Sequence, residues 1–177
     1  MSDFPLKLER VSGIGFLALR GQADSGDFLA VLERIAGVEL PIEPNTVNGQ
    51  DTLAYWLGPD EWLLRCTENK AADLRIELVD ALRNQHIAVN DLSGGLVAYR
   101  LAGSGVRELL ATGCTLDLHP LAFAPGRCAQ TGLAKAPVLL NSCSEPERFD
   151  IVVRRSFADY LWRWLARTGR EFRIEVA

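Results

Sequence analysis

The most constraining feature of this sequence is that one pattern of segments occurs twice. An apolar extended stretch over residues 14–20 is followed by a glycine-containing break and by the helical pattern of residues 25–36. A second apolar stretch, residues 95–101, is followed by another such break and by the helical pattern of residues 104–111. Both helical patterns end near a glycine and lead into a Pro-containing segment. The sequence therefore predicts that one structural unit is used twice.

Each half is predicted to contain its elements in the order β-α-β-β-α-β. Late in each half, an apolar strand leads straight into a helix. These strand–helix pairs are residues 62–65 with 70–85 and residues 151–154 with 157–168. Because the helices cluster, antiparallel sheets with helices on one face are favoured over a doubly wound parallel sheet. The predicted fold is α+β, with duplicated ferredoxin-like halves at about residues 1–91 and 92–177 of a single domain, residues 1–177.

Local signals predict where several of these elements begin and end. Ser25 is the expected N-cap of the first helix, and Gly37 is expected to end it. Asn69 is the expected N-cap of the second helix, and Ser156 opens a sequence that resembles a capping box for the last one. The Gly58-Pro59-Asp60 turn predicts a hairpin over residues 52–66.

Composition and charge exclude several classes of protein. The chain has 177 residues, of which 48% are hydrophobic and 24% charged, as in ordinary soluble proteins. Its net charge is −4 and it has no basic run, which argues against nucleic acid as a partner. No apolar stretch approaches the roughly 20 residues of a membrane-spanning helix. Met1–Pro5 lacks the charged and apolar regions of a signal peptide, so a cytoplasmic protein is predicted.

The residues that usually perform catalysis form no known constellation here. The four cysteines, Cys66, Cys114, Cys128 and Cys143, show no Cys-x-x-Cys spacing and are expected to be buried, inert thiols. The only histidines, His86 and His119, stand in no motif with a nucleophile or an acid. There is no P-loop and no Gly-x-Gly-x-x-Gly between a strand and a helix. We therefore predict neither catalytic residues nor metal ligands in this chain.

Two bulky apolar side chains lie off the apolar stripes of their helices. Trp162 lies roughly 130° from the centre of the stripe of the last helix, and Ile76 roughly 150° from that of the second helix. The stripe of the last helix comprises Phe157, Tyr160, Leu161, Trp164 and Leu165. Tryptophan is enriched at interface hot spots, so Trp162 and Ile76 are candidate partner contacts. The alternative for Trp162 is burial by local packing within the monomer.

Two stretches carry motifs of a known family. Asp51–Gly58 and Asp60–Leu64 form a strand, a turn and a strand, and lead to a helix with Asn69 near its start and Asp73 one turn in. Val89–Ser93 is an Asp-x-Ser strand that precedes a second strand and a glycine-containing helix start. These segments resemble the folate-dependent aminomethyltransferase superfamily, which includes the aminomethyltransferase of glycine cleavage. The resemblance implies the fold of that enzyme's folate-binding domain.

Within this superfamily, the chain most resembles the γ subunits of heterotetrameric sarcosine oxidase. The resemblance is carried by Trp56–Leu63, Asp91–Gly95, Asp117–Pro120 and Phe149–Ala158, together with Phe123 and Gly126. The order of these segments and the chain length agree over nearly the whole sequence.

This resemblance implies a non-catalytic subunit rather than a separate enzyme. The implied partners are the α, β and δ subunits, on which FAD, FMN, NAD, tetrahydrofolate and zinc reside, and no cofactor is implied for this chain itself. The implied complex oxidises sarcosine to glycine, forms hydrogen peroxide and passes the one-carbon unit to tetrahydrofolate. The chain is expected to pack beside the folate-handling part of the large subunit.

Asp51 is the one position that resembles part of a folate site. The aminomethyltransferases carry an acidic pair just before this strand, one member of which is catalytic, whereas this chain has Gln50-Asp51. The full enzyme is also about twice as long and surrounds its folate with three domains. Since a ligand site normally buries most of its ligand, this chain alone is expected to bind folate weakly at best.

Three alternatives remain open at this stage. One is a stand-alone folate-binding protein similar to aminomethyltransferases that uses Asp51. Another is the folate-binding protein of iron–sulfur maintenance, although residues 126–132 lack the Lys and Tyr of its Lys-Gly-Cys-Tyr signature. The third is an interaction module of another amine-oxidising complex, such as one acting on N-methylglutamate.

Overall fold

The computed structural model describes residues 5–145 and 147–177, whose strands form two sheets in two compact units. One unit comprises residues 13–94, and the other comprises residues 95–177 together with the N-terminal segment that ends at Ser12. The first strand, β1 (Lys7–Val11), belongs to the second of these units. Residues 1–4, which entered the signal-peptide prediction, and Pro146 lie outside the described residues.

The unit of residues 13–94 is a ferredoxin-like unit with one added strand. Its elements are β2 (Ile14–Arg20), α1 (Gly26–Ala36), β3 (Val47–Gly49), β4 (Leu53–Gly58), β5 (Glu61–Thr67), α2 (Glu68–Ala81) and β6 (Ala88–Asp91). The antiparallel sheet has the order β3-β4-β5-β2-β6, with the short β3 at the β4 edge. This confirms the predicted β-α-β-β-α-β order and the β4–β5 hairpin.

Helix α1 begins and ends as its sequence predicts. The Phe28 N–H donates to Ser25 Oγ (3.4 Å), and Gly37 ends the helix with a left-handed backbone at φ 71°. Phe28 and Leu32 are buried, and the Phe28 ring lies 5.8 Å from that of Trp62 on β5. The apolar side of α1 therefore packs on the sheet, as its periodicity indicates.

Helix α2 begins differently from the prediction. Its N-cap is Thr67, which makes no side-chain capping bond, and Asn69 lies within the first turn, so the predicted Asn69 cap is wrong. The physical reason is that β5 continues directly into the helix, and the Glu68 N–H donates to the carbonyl of Gly13 at 2.9 Å. A backbone group from the start of β2 thus satisfies a helix-end donor that a side chain usually satisfies.

The unit that contains the C-terminus repeats this arrangement. Its remaining elements are β7 (Leu96–Ala102), α3 (Val106–Ala111), β8 (Cys128–Leu133), β9 (Ala136–Ser142), β10 (Arg148–Arg154), α4 (Arg155–Thr168), a 3-10 turn (Gly169–Phe172) and β11 (Glu175–Val176). The order of its sheet is β11-β1-β7-β10-β9-β8. The strand–helix junction from β10 to α4 matches that from β5 to α2.

The N-terminal strand β1 takes the place of the last strand in this repeat. In the other unit β6 lies beside β2, whereas here β1 lies antiparallel beside β7, and the two-residue β11 pairs with β1 in parallel. Leu6 and Leu8 are buried in the core of this unit, which explains why β1 pairs here. The sequence assigned residues 7–11 to the first half, and its periodicity contained no information on this pairing.

Helix α4 also lacks the predicted side-chain cap. Its N-cap is Arg154 and Ser156 lies in the first turn, so the predicted capping box is wrong. The Arg155 N–H donates to the carbonyl of Gly95 at 2.8 Å, as Glu68 does to Gly13 in the other unit. The two units therefore start their second helices by the same backbone interaction.

The position of β1 can be tested through Leu8. We expect Leu8→Ala to lower the free energy of unfolding by about 2–5 kcal/mol, since it empties part of a fully buried site. The control Lys7→Ala removes only an exposed 3.6 Å ion pair with Glu175 and is expected to change stability by about 0.5 kcal/mol or less. Urea denaturation measures both, and an unfolding curve of Leu8→Ala equal to that of the wild type would contradict the burial of β1.

Candidate functional site

Asp51 lies on an exposed turn between β3 and β4. Gly49 has φ 99°, and a Cβ there would lie 1.9 Å from the carbonyl oxygen of Thr52, so the turn requires glycine. Thr52 is buried, and its Oγ1 accepts a hydrogen bond from Lys70 Nζ at 3.2 Å. A ligand on Asp51 would be open to solvent, whereas small-molecule sites bury most of the ligand surface. Folate binding at Asp51 stays a prediction.

The Asp-x-Ser motif holds β6 against the start of β2. The Ser93 N–H donates to Asp91 Oδ1 at 2.8 Å, and Ser93 Oγ accepts from the Phe16 N–H at 3.0 Å. Hydrogen bonds from the Ser93 side chain and then from its backbone lower the pKa of Asp91. These residues, which carry part of the family resemblance, thus fix a strand end.

Among the described residues, the most buried carboxylate belongs to an ion pair of the sheet. Asp150, on β10, is 1% exposed and accepts from Arg100 Nε at 2.9 Å and from its Nη2 at 3.3 Å. Glu9 on β1 accepts from Arg100 Nη1 at 3.1 Å. Because a bidentate guanidinium–carboxylate pair fixes both groups, this cluster ties β1, β7 and β10 together.

Two of the cysteine thiols are poor nucleophiles. Burial and the Asp150 carboxylate raise the pKa of Cys143 to about 11, and burial raises the pKa of Cys66. Because the thiolate is the reactive form, both thiols are held in the unreactive form at neutral pH.

The two histidines lie in segments between helices and strands. His86 is an exposed residue in the bend between α2 and β6. His119 lies in the loop after α3, and its Nδ1 accepts from the Leu121 N–H at 3.2 Å.

Within residues 5–145 and 147–177, no group of three or more His, Cys, Asp or Glu side chains is placed to hold a metal ion. None of the helices described is long and apolar enough to cross a membrane.

Helix α2 exposes a second apolar strip. Ile76 is 60% exposed and Val79, one turn further along, is 42% exposed. The buried side of the same helix comprises Ala71, Leu74 and Leu78. The predicted exposure of Ile76 is therefore observed, and Val79 extends the apolar surface that Ile76 begins.

Trp162 lies on the packed side of its helix and not on the outer side. It is half-buried, its ring lies 5.2 Å from that of Tyr99, and the Tyr99 hydroxyl donates to the Ala158 carbonyl at 2.9 Å. The packed face comprises the buried Ala158, Leu161 and Leu165 together with the half-buried Phe157, Trp162 and Trp164, while Tyr160 is exposed. Four of the five predicted stripe residues therefore pack on the core, and the prediction is wrong for Tyr160 and missed Ala158 and Trp162. Contact of Trp162 with a partner stays a prediction.

The sequence also missed an exposed residue in the loop between α3 and β8. Leu121 is 90% exposed, more than any other large apolar residue among those the structure describes. It follows the Asp117–Pro120 motif directly. The signal that could have identified it is the absence of Asp, Glu, Lys and Arg from residues 118–126.

Comparison with known proteins identifies close relatives. The model of the sarcosine oxidase, gamma subunit family matches residues 20–171. Sarcosine oxidase subunit gamma of Corynebacterium sp. strain P-1 is 34% identical over 172 residues, covering 96% of this chain and 83% of that protein. Its counterpart from Corynebacterium sp. strain U-96 is 37% identical over 145 residues, covering 81% of this chain and 69% of that protein.

Solved structures agree with these sequence matches. A chain of the heterotetrameric sarcosine oxidase from Corynebacterium sp. U-96, in complex with pyrrole 2-carboxylate, superposes with a TM-score of 0.87 at 35% identity, covering 97% of this chain and 88% of that one. The glycine cleavage system aminomethyltransferase T from Bartonella henselae gives a TM-score of 0.72 at 15% identity, covering 99% of this chain and 48% of that one. The second match shows the shared fold and confirms the predicted fold class.

The unreactive state of Cys143 predicts a steep pH dependence of its alkylation. A pKa of about 11 leaves roughly 0.1% of the thiol ionised at pH 8. We expect iodoacetamide to label Cys143 slowly in the folded protein, at a rate that rises about tenfold per pH unit between pH 8 and 10. Peptide mass spectrometry measures the rate, and the urea-unfolded chain is the control. Rapid labelling of the folded chain at pH 8 would contradict the raised pKa.

Proposed function

Because this chain belongs to the sarcosine oxidase gamma subunit family, we propose that it is the γ subunit of a heterotetrameric sarcosine oxidase and has a structural role there. The observation that carries this proposal is the continuous match of residues 20–171 to that family. The structural match to a chain of a heterotetrameric sarcosine oxidase, over 97% of this chain, supports the same assignment.

The reaction that we propose for the whole complex is the oxidative demethylation of sarcosine. Sarcosine loses two electrons, which reduce molecular oxygen to hydrogen peroxide. The methyl carbon of sarcosine becomes the methylene group of 5,10-methylenetetrahydrofolate, and the rest of the molecule is released as glycine. We assign FAD, FMN, NAD, tetrahydrofolate and zinc to the other subunits, named α, β and δ. The proposed position of this chain is beside the folate-handling part of the large subunit, since it shares the fold of an aminomethyltransferase.

The chemistry of the described residues supports a structural role. The Asp150 carboxylate is engaged by Arg100, and the Cys143 thiol has a raised pKa. The Asp91 carboxylate accepts bonds from Ser93 at a strand end, and His119 accepts one within its loop. The two carboxylates and His119 thus bond within the fold, which is the pattern expected of a subunit that acts through its shape and surface.

Two surfaces are proposed to contact other subunits. The Ile76–Val79 strip of α2 offers neighbouring exposed apolar side chains, which lose contact with water on association. Trp162 is proposed to contribute the part of its ring that Tyr99 leaves accessible.

The cytoplasm is the proposed location, because the four cysteines are free and reducing conditions keep thiols in that state.

The proposal predicts that the complex requires this chain. When the α, β and δ subunits of the source organism are expressed without it, we expect the heterotetramer to be absent from size-exclusion profiles and sarcosine-dependent peroxide formation to be lost. Ile76→Glu is expected to weaken co-purification, whereas Ile42→Glu, at an exposed apolar residue of the loop between α1 and β3, serves as its control. Normal assembly and turnover of the other subunits without this chain would refute the structural role.

The proposal also predicts weak folate binding by the isolated chain. We expect titration calorimetry with tetrahydrofolate to give a Kd weaker than about 1 mM, since Asp51 lies on an exposed turn. Asp51→Asn and the control Asp60→Asn, in the β4–β5 turn, are expected to behave alike. Micromolar binding that Asp51→Asn abolishes and Asp60→Asn preserves would favour a stand-alone folate-binding protein instead.

A further inference from the structure

The loop between α3 and β8 presents one large apolar side chain to solvent. Leu121 is 90% exposed, and its neighbours Pro120 and Ala122 are exposed as well. Residues 118–126 contain no Asp, Glu, Lys or Arg, although 24% of the whole chain is charged. A scattered exposed leucine needs no explanation, but an uncharged apolar tip resembles the core of a protein interface, from which charges are depleted.

A guanidinium holds this uncharged segment at two points, on either side of Leu121. The Arg107 side chain, from α3, is 14% exposed, and its Nη1 donates to the carbonyls of Leu118 and of Phe123, the latter at 3.2 Å. The same guanidinium lies 4.9 Å from the centre of the Phe149 ring on β10. Charge-assisted bonds and a cation–π contact therefore fix the base of the loop to the core of its own unit.

The tip of the loop is fixed by its own polar groups. The His119 N–H donates to Asp117 Oδ1 at 2.9 Å, and His119 Nδ1 accepts from the Leu121 N–H at 3.2 Å. The His119 carbonyl accepts from the N–H groups of Ala122 and Phe123, each at 2.9 Å. Because these groups bond within the turn, the Leu121 side chain is held outward on an ordered backbone.

We propose that Leu121 inserts into an apolar, uncharged pocket of another subunit of the complex, an inference that rests on the proposed function. A rigid loop loses little conformational freedom on binding. Burial of the Leu121 side chain therefore stabilises the complex with a small loss of conformational entropy. The absence of basic side chains from residues 118–126 argues against a phosphate-bearing partner, and the depletion of charge fits a neutral apolar cavity in a protein.

Co-expression of the tagged chain with the α, β and δ subunits tests this contact. We expect Leu121→Asp to lower the yield of co-purified subunits at least about tenfold, as at an interface hot spot. The matched control is Ile42→Asp, because Ile42 is 68% exposed and lies in the unit of residues 13–94. Its yield is expected to stay within about twofold of the wild type, as at a position outside a hot spot. Both isolated variants are expected to unfold at the wild-type temperature.

Two His119 variants test whether the ordered tip matters. The Oδ1 of Asn occupies nearly the position of histidine Nδ1, so His119→Asn can still accept the Leu121 N–H, whereas His119→Ala cannot. We expect His119→Asn to retain wild-type yield and His119→Ala to lower it at least about threefold, with the isolated chains equally folded. Equal yields from these two variants would overturn the role of the fixed tip.

The outcomes separate this inference from the proposed function. A wild-type yield with Leu121→Asp overturns the Leu121 contact and leaves the γ-subunit role in place. An equal loss with Leu121→Asp and Ile42→Asp overturns it too, because the effect would not be local. A second copy of this chain is the occupant instead if Leu121→Asp converts a dimer of the isolated chain to a monomer without changing co-purification. Failure of the wild-type chain to join the other subunits refutes the proposed function itself.

Discussion

The fold depends on one backbone interaction that occurs in both units. Glu68 donates to the Gly13 carbonyl at 2.9 Å, and Arg155 donates to the Gly95 carbonyl at 2.8 Å. Each bond joins the first residue of a helix to the residue just before β2 or β7. The strand that leads into the helix lies beside that strand, as β5 lies beside β2 and β10 beside β7. The duplication is therefore visible in hydrogen bonds that involve no side chain.

The same interaction explains which parts of the fold could be predicted. Local signals sufficed for α1, where Ser25 caps the helix and Gly37 ends it, and for the β4–β5 hairpin. They failed at Asn69 and Ser156, because the capping acceptors of these helices are carbonyls distant in sequence. The pairing of β1 with β7 is likewise a contact between distant segments, which periodicity within either one does not encode. The helix caps and the β1 pairing, which were predicted wrongly, all depend on partners distant in sequence.

The same contrast between local signals and distant contacts applies to the candidate site residues. Residue types alone predicted that the cysteines and histidines form no catalytic arrangement, and this stays a prediction. In the structure, burial raises the pKa of Cys143, and His119 Nδ1 accepts from the Leu121 N–H. The exposure of Ile76 followed from helical geometry. Leu121 was missed because exposure in an irregular loop is set by tertiary anchors, here the Arg107 side chain. Motifs that carried the family resemblance, such as Asp91–Ser93, thus mark positions that shape the chain.

The pairing of β1 with both β7 and β11 has a consequence for the order in which the chain folds. Residues 13–94 hold every strand of their own sheet and are complete once they have left the ribosome. Strand β1, by contrast, precedes residues 13–94 in the chain but has no partner until β7 has been synthesised, and its other edge pairs with β11. Strand β1 is therefore synthesised before the unit of residues 13–94 and paired after that unit is complete, so its apolar side chains remain without their native contacts for longer.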